Sequence, residues 1–297
     1  MAITRRQSLS LLSTIPAAGI LSSCSSANAI ASPPTSKTLS NIAYNLKDPK
    51  DQLLIFEKLR GDMSGTKTYS YSEGRVFGIR PDQPDDLDVF GKEVVRFSGC
   101  GMKIMRQVGN DKVETKSRSW LLYQDPTTEE FLSEMKNPYT GSVVEVPPFR
   151  GGISGSIMTP TGPEISANFK MESTAFGRPL NLVFTELGDK IHVTRHAFTK
   201  WFEKKSGTWR TEMTLDTYDF DKNLLYDRTL NHIPSDYHWT SQTSWLSLLK
   251  MAGTPGHMLW STNGRTFYDK KMLPERFVRA TEEKQPTIFS EPLTWDS

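Results

Sequence analysis

Between about residue 65 and residue 220, apolar and polar side chains alternate with a period of two. Trp209, Thr211, Met213 and Leu215 share one strand face, and Arg210, Glu212, Thr214 and Asp216 share the other. Ile191, Val193, Ala197 and Trp201 alternate with His192, Thr194 and His196, as Ile165, Ala167, Phe169 and Met171 do with Ser166, Asn168 and Lys170. Further strand-like runs lie near 67–79, 92–106, 112–123, 130–136, 142–146 and 179–187. Turn chemistry separates them: Asp125-Pro126-Thr127-Thr128, Asn137-Pro138-Tyr139-Thr140-Gly141 and Gly188-Asp189. Connections this short predict antiparallel pairing, because a parallel pair needs a long crossover.

So many strands in one sheet must curl, close or split to manage their edges. The pattern therefore predicts a mainly β (α+β) fold: a large antiparallel sheet, strongly curved or closed like a barrel, with a few short helices. One helix is predicted after Asp48, an N-cap followed by Pro49 at the first helical position. Leu53, Phe56 and Leu59 then repeat at helical spacing before Gly61. Trp245, Leu248, Leu249 and Met251 predict a short helix ended by Gly253, and Leu273-Pro274-Glu275-Arg276-Phe277 predicts another helix start.

The N-terminus follows a different rule. Thr4-Arg5-Arg6-Gln7-Ser8-Leu9 sets paired arginines before a mild apolar run to Leu21, and Ala27-Asn28-Ala29 offers a small-x-small cleavage site after Ala29. Residues 1–29 read as a twin-arginine signal, 30–44 as a Ser/Pro-rich linker, and 45–297 as one β-rich domain. The expected partner is the twin-arginine export machinery, and the expected location is the periplasm. Leu21-Ser22-Ser23-Cys24 is also an acceptable lipoprotein box, so two fates stand open. Cys24 is either lipidated, tethering the protein to a membrane, or discarded by cleavage after Ala29.

Composition narrows the chemistry. Arg5 and Arg6 are the only charged side chains of the signal, which leaves 34 basic and 34 acidic residues behind it. Such a balance exerts no broad pull on polyphosphate, so nucleic acid is not an expected partner. Beyond Cys24 there is only Cys100, which rules out an internal disulfide in the mature chain and metal sites built from cysteine clusters. His192 and His196 stand four residues apart on a predicted strand, about 13 Å, too far to share one ion. No metal site and no cofactor are evident. Gly151-Gly152-Ile153-Ser154-Gly155-Ser156 lacks both the P-loop ending and the nucleophile-elbow spacing, and reads as a mobile loop able to cover a pocket. Cys100, between Gly99 and Gly101, reads as a small buried filler where another backbone comes close.

Aromatic residues carry the positive signal. Trp120, Tyr123, Trp209 and Trp239 fall in or beside strands, where they either fill a core or line an apolar ligand cavity. Arg195 shares the face of Ile191 and Val193. If the register holds, its guanidinium needs an internal carboxylate or an anionic ligand; a bulge would instead turn it outward.

Two stretches carry a family resemblance. One runs from Tyr123-Gln124-Asp125-Pro126-Thr127-Thr128 to Asn137-Pro138-Tyr139-Thr140-Gly141. The other is Trp245-Leu246-Ser247-Leu248-Leu249-Lys250-Met251 with Pro255-Gly256-His257-Met258-Leu259-Trp260 and Gly264-Arg265. With Leu46-Lys47-Asp48-Pro49 and Leu59-Arg60-Gly61, they resemble the domain-of-unknown-function family 1838 over roughly residues 45–296. The resemblance implies an exported protein of that fold and brings no catalytic residues with it.

Three functional readings follow. The first is a binding protein holding a small, largely apolar ligand, with or without an acidic group, in a barrel-like cavity, with Arg195, Trp120, Tyr123, Trp209 and Trp239 as the ligand-binding set. The second is an enzyme of isomerase, cyclase or hydrolase type that uses a histidine or carboxylate in the same cavity. The third, a protein-interaction module, would show as a large exposed aromatic patch.

Overall fold

The computed structural model describes residues 44–83, 91–164, 180, 182–203 and 208–295, with the backbone alone for 199–203 and 208–210. The first helix, α1 (Pro49–Arg60), begins as its sequence dictates. The Asp48 side chain accepts the Lys50 N–H at 2.9 Å, Pro49 occupies the first turn, and the Gly61 N–H closes the last turn on the Glu57 carbonyl. Leu53, Ile55, Phe56 and Leu59 are fully buried, but so are Asp51, Glu57 and Lys58. A helix with charged residues enclosed on several sides must satisfy them internally. Lys58 Nζ donates to the Tyr44 hydroxyl at 2.9 Å and the Arg228 carbonyl at 2.8 Å, while Asp51 accepts from Arg228 at 2.7 Å.

The strands follow the alternating pattern closely. They are β1 (Thr68–Ile79), β2 (Gly91–Val108), β3 (Lys112–Gln124), β4 (Glu134–Lys136), β5 (Val143–Glu145), β6 (Phe149–Arg150), β7 (Ser154–Thr159) and β8 (Gly162–Glu164). The second half adds β9 (Leu182–Leu187), β10 (Lys190–Glu203), β11 (Thr208–Asp221), β12 (Asp236–Thr243) and β13 (His257–Phe267). Eleven form one antiparallel sheet in the order β8-β7-β3-β2-β1-β13-β12-β11-β10-β9, with β6 also on β3. Two meanders are thus welded where β13 returns to lie beside β1. The β4–β5 ribbon stands apart.

Hydrophobic clusters sit on both faces. On one, α1 packs with residues from β2, β3 and β7 and with Leu182, Ile191, Val193, Tyr218 and Phe220. On the opposite face, α2 (Glu275–Lys284) and the chain after it cover β1 to β3, burying Phe277, Ile288 and Leu293 against Cys100, Met102 and Trp120. Strand parity assigns each residue its side, as the two-residue repeat requires.

Several expectations need correction. The closed or strongly curved barrel is not what the hydrogen bonding gives. The path is open, with β8 and β9 as its ends and no pairing between them among the described residues. Of the expected run 130–136 only Glu134–Lys136 is a strand, because Asp125 to Glu130 fold back in a turn closed by the Glu129 N–H on the Asp125 carbonyl. The helix expected over 245–251 shrinks to a 3-10 turn, Ser247–Leu249, stopped by Lys250 in the left-handed region at φ 53°. Strands β12 and β13 were not foreseen. Residues 165–171, and Cys24 and Ala29, lie outside the described residues. No described helix is long and apolar enough to cross a membrane.

Candidate functional site

One line of paired residues crosses seven strands on the α1-facing side. From β10 to β3 it reads Arg195, Asp216, Trp239, Thr262, Gly74, Phe97 and Tyr123, each directly opposite the next. Arg195 does face inward, and an internal carboxylate meets it. Its Nε donates to Asp216 Oδ2 at 2.6 Å, and Nη2 reaches the same oxygen. Beyond it the rings gather, with Trp239 and Trp260 centroids 6.0 Å apart and Phe97 5.2 Å from Trp260. Gly74 makes that packing possible. A Cβ there would stand 2.3 Å from the Ser261 carbonyl oxygen and 3.0 Å from the Phe97 ring.

The next line over, toward α1, pairs Val193, Tyr218, Tyr237, Gly264, Ser72 and Gly99. The Tyr237 hydroxyl donates to the Tyr71 carbonyl at 3.0 Å, its ring lying where a Cβ on Gly264 would come within 2.3 Å. Phe56 of α1 reaches this line edge-on to Tyr218, at 5.8 Å, and it carries two cations. Arg60 lies 5.1 Å and Arg195 5.0 Å from its ring centroid. Arg60 spends a single nitrogen on Glu57, its Nη1 bonding both carboxylate oxygens at 2.8 and 3.0 Å. Burial works against the Arg60 cation, yet the Glu57 carboxylate more than restores it and holds its pKa above the ordinary arginine value. The Nε and Nη2 edge takes no hydrogen bond among the described residues, so a forked donor stays open to a planar anion.

Lys103 completes the constellation. It lies on the same face of β2, opposite Thr68 and Ser117, and its stem passes close to Gly61, where a Cβ would stand 3.1 Å from Lys103 Cδ. It has no hydrogen-bond or ion-pair partner among the described residues. Burial, then the neighbouring Arg60 cation, bring its pKa down to about 7. Lys103 is nonetheless partly exposed. Nearby, the Thr68 Oγ1 is buried without a partner.

Between Lys103 and the rings the strand faces carry only small residues: Ser70, Ser72, Gly99 and Gly101. Around Gly101 a Cβ would find a single atom within 4 Å, the Arg118 carbonyl oxygen of the adjacent strand, so the space above it is open. The strip has cations at one end and aromatic rings at the other, and the Tyr237 hydroxyl reaches across it to Tyr71.

Of the five residues expected to bind ligand, Arg195, Tyr123 and Trp239 share one face; Tyr123 and Trp239 both meet Trp260, at 6.4 and 6.0 Å, while Arg195 stands two strands beyond Trp239. Trp120 does not share that face. It lies on the opposite face, stacked on Phe277 at 6.3 Å and edge-on to Phe289, because β3 turns its even-numbered side chains toward the C-terminal segment. Trp209 lies in β11 opposite Phe202, and its side chain is outside the described residues. Cys100 is the buried filler expected, its thiol pushed up by burial. His192 bonds Asp219 at 2.7 Å, and His238 stands opposite Asn263, both on the outer face. The described residues hold no metal-binding group of three or more His, Cys, Asp or Glu. The segment read as a mobile loop is corrected in part, since Ser154, Gly155 and Ser156 begin β7 paired with β3, and the Gly151 N–H is held on the Ser119 carbonyl at 2.8 Å.

Sequence reasoning missed Glu57, Arg60 and Lys103. Each looks like an ordinary solvated charge, and only the enclosure of α1 by the sheet removes it from water. The available signal was Gly61, a helix-ending glycine that also makes room for a neighbour.

Fold and site together define an antiparallel β-sheet protein with one helix seated on a charged, glycine- and serine-rich strip. The chain belongs to the family described as Protein of unknown function (DUF1838), whose model matches residues 65–297. No curated protein matches it in sequence.

Proposed function

We propose that the chain is an exported protein that binds a small acid with an elongated apolar body along this strip. The acid group rests on the open edge of Arg60 beside Lys103. The body runs over Gly101 and Gly99 toward Phe97, Trp239 and Trp260. Six residues of extended strand separate Lys103 from Phe97, about 20 Å, which sets the upper length of such a ligand. The observation that carries the reading is Lys103, a partly buried amine with no hydrogen-bond or ion-pair partner among the described residues, because an enclosed cation is costly and a bound anion lowers that cost. Export through the twin-arginine route, with residues 1–29 removed after Ala29 or Cys24 lipidated, gives the periplasmic setting.

The test is a titration of medium-chain fatty acids read by tryptophan fluorescence. Octanoate is expected to bind, its methyl ester at least tenfold more weakly, and Lys103→Met to reproduce the loss. Equal binding of acid and ester would overturn the reading.

A second reading is catalytic. Glu57 and Asp216 supply carboxylates on the same face, while His192, His196 and His238 stand on the other. A carboxylate–lysine site, with no histidine, is the form an enzyme here would take.

A further inference from the structure

We propose that Lys103 is a covalent site, whose amine condenses with the carbonyl carbon of a 2-oxo acid held through its carboxylate by Arg60. The inference rests on the acid-binding reading above and names the class of acid. Three features of the geometry carry it. The amine has no hydrogen-bond or ion-pair partner among the described residues, so no protein donor engages its lone pair and no acceptor holds its protons. The forked Nε/Nη2 edge of Arg60 is unspent, because Nη1 alone serves both oxygens of Glu57. The Lys103 stem passes beside Gly61, the residue after Arg60, where a Cβ would stand 3.1 Å from Lys103 Cδ, and the Arg60 cation disfavours the charged form of Lys103. A carboxylate on Arg60 therefore brings an adjacent carbonyl toward Lys103, and the ligand's charge offsets the repulsion between the two.

The step balances without a co-reactant. The amine nitrogen attacks the carbonyl carbon, forming the C–N bond of a carbinolamine. The two amine protons then leave with the carbonyl oxygen as one water, and a C=N bond remains. The reaction needs the neutral amine, the activation by desolvation and a neighbouring cation that turns lysines into nucleophiles. Open floor at Gly101 leaves room for the alkyl body of a longer 2-oxo acid.

The experiment uses the chain without residues 1–29, incubated at pH 7.5 with 2-oxo-octanoate and sodium cyanoborohydride, then analysed by intact mass and peptide mapping. Octanoate binding is measured in parallel. The expected result is a single reduced adduct on the peptide containing Lys103, absent from a folded Lys103→Arg variant. Its rate in the wild type should rise as pH passes through about 7 and level off. Mapping is done on the wild type, so an unfolded variant does not blunt the test. Adducts scattered over surface lysines, or a rate that keeps climbing to pH 10, overturn the inference. Octanoate binding without any adduct overturns it while the acid-binding reading stands. Failure of both acids to bind overturns both.

Discussion

At the residue scale, Lys103 sets the pH behaviour. Its pKa is about 7 in the fold against an ordinary value of 10.5, so from pH 7 to about 10.5 the unfolded chain holds the extra proton. Stability attributable to this group must therefore increase with pH across that window and be flat below it. Urea denaturation at pH 6, 8 and 10 checks this, and Lys103→Met should flatten the rise. Binding of a plain acid runs the other way, weakening as Lys103 loses its charge. Gly264 supplies a second prediction. Gly264→Ala should destabilise by about 2 kcal/mol or more, because the added carbon meets the Tyr237 ring and the Tyr71 carbonyl together. Equal midpoints in urea for the two proteins would contradict it.

At the scale of elements, α1 matters through what it carries. Its N-cap is ordinary, and Asp48→Ala should cost about 1 kcal/mol. Its last turn is not. Glu57 and Arg60 are a pair on one helix, and Glu57→Gln leaves the Arg60 cation without the carboxylate it is bonded to. A loss of about 3 kcal/mol is expected, read from the thermal or urea midpoint. The C-terminal helix α2 has a simpler task. Phe277 stacks on Trp120 and covers Cys100. Phe277→Ala should cost about 3 to 5 kcal/mol, and it should raise the labelling rate of Cys100, the single thiol of the chain lacking residues 1–29. Unchanged thiol protection in that variant would show that the tail shields Cys100 by other contacts.

At the scale of the molecule, strand existence was legible where side chains alternate in a long run, as in β2, β3, β10 and β11. The start of α1 was legible in Asp48-Pro49. For Arg195 the parity of Ile191 and Val193 pointed inward while a bulge stood as the alternative, and the unbroken β10–β11 register decided between them. Strands β12 and β13 were hidden because their inward residues include Tyr237, Ser241, Thr262 and Gly264 among polar neighbours, giving no contrast of hydrophobicity to read. Trp120 was misassigned because parity says which residues share a face and not which face meets which partner. What the sequence determined by itself is local: backbone preference, alternation, caps and turns, each set by residues within a few positions of one another. The tertiary structure alone decided that the last strand lies against the first, that α1 sits over the sheet, and that Arg60 and Arg195 meet over the Phe56 ring with Lys103 nearby. Those outcomes depend on contacts between residues a hundred or more positions apart, and a charge acquires its altered chemistry only when distant chain displaces the water around it.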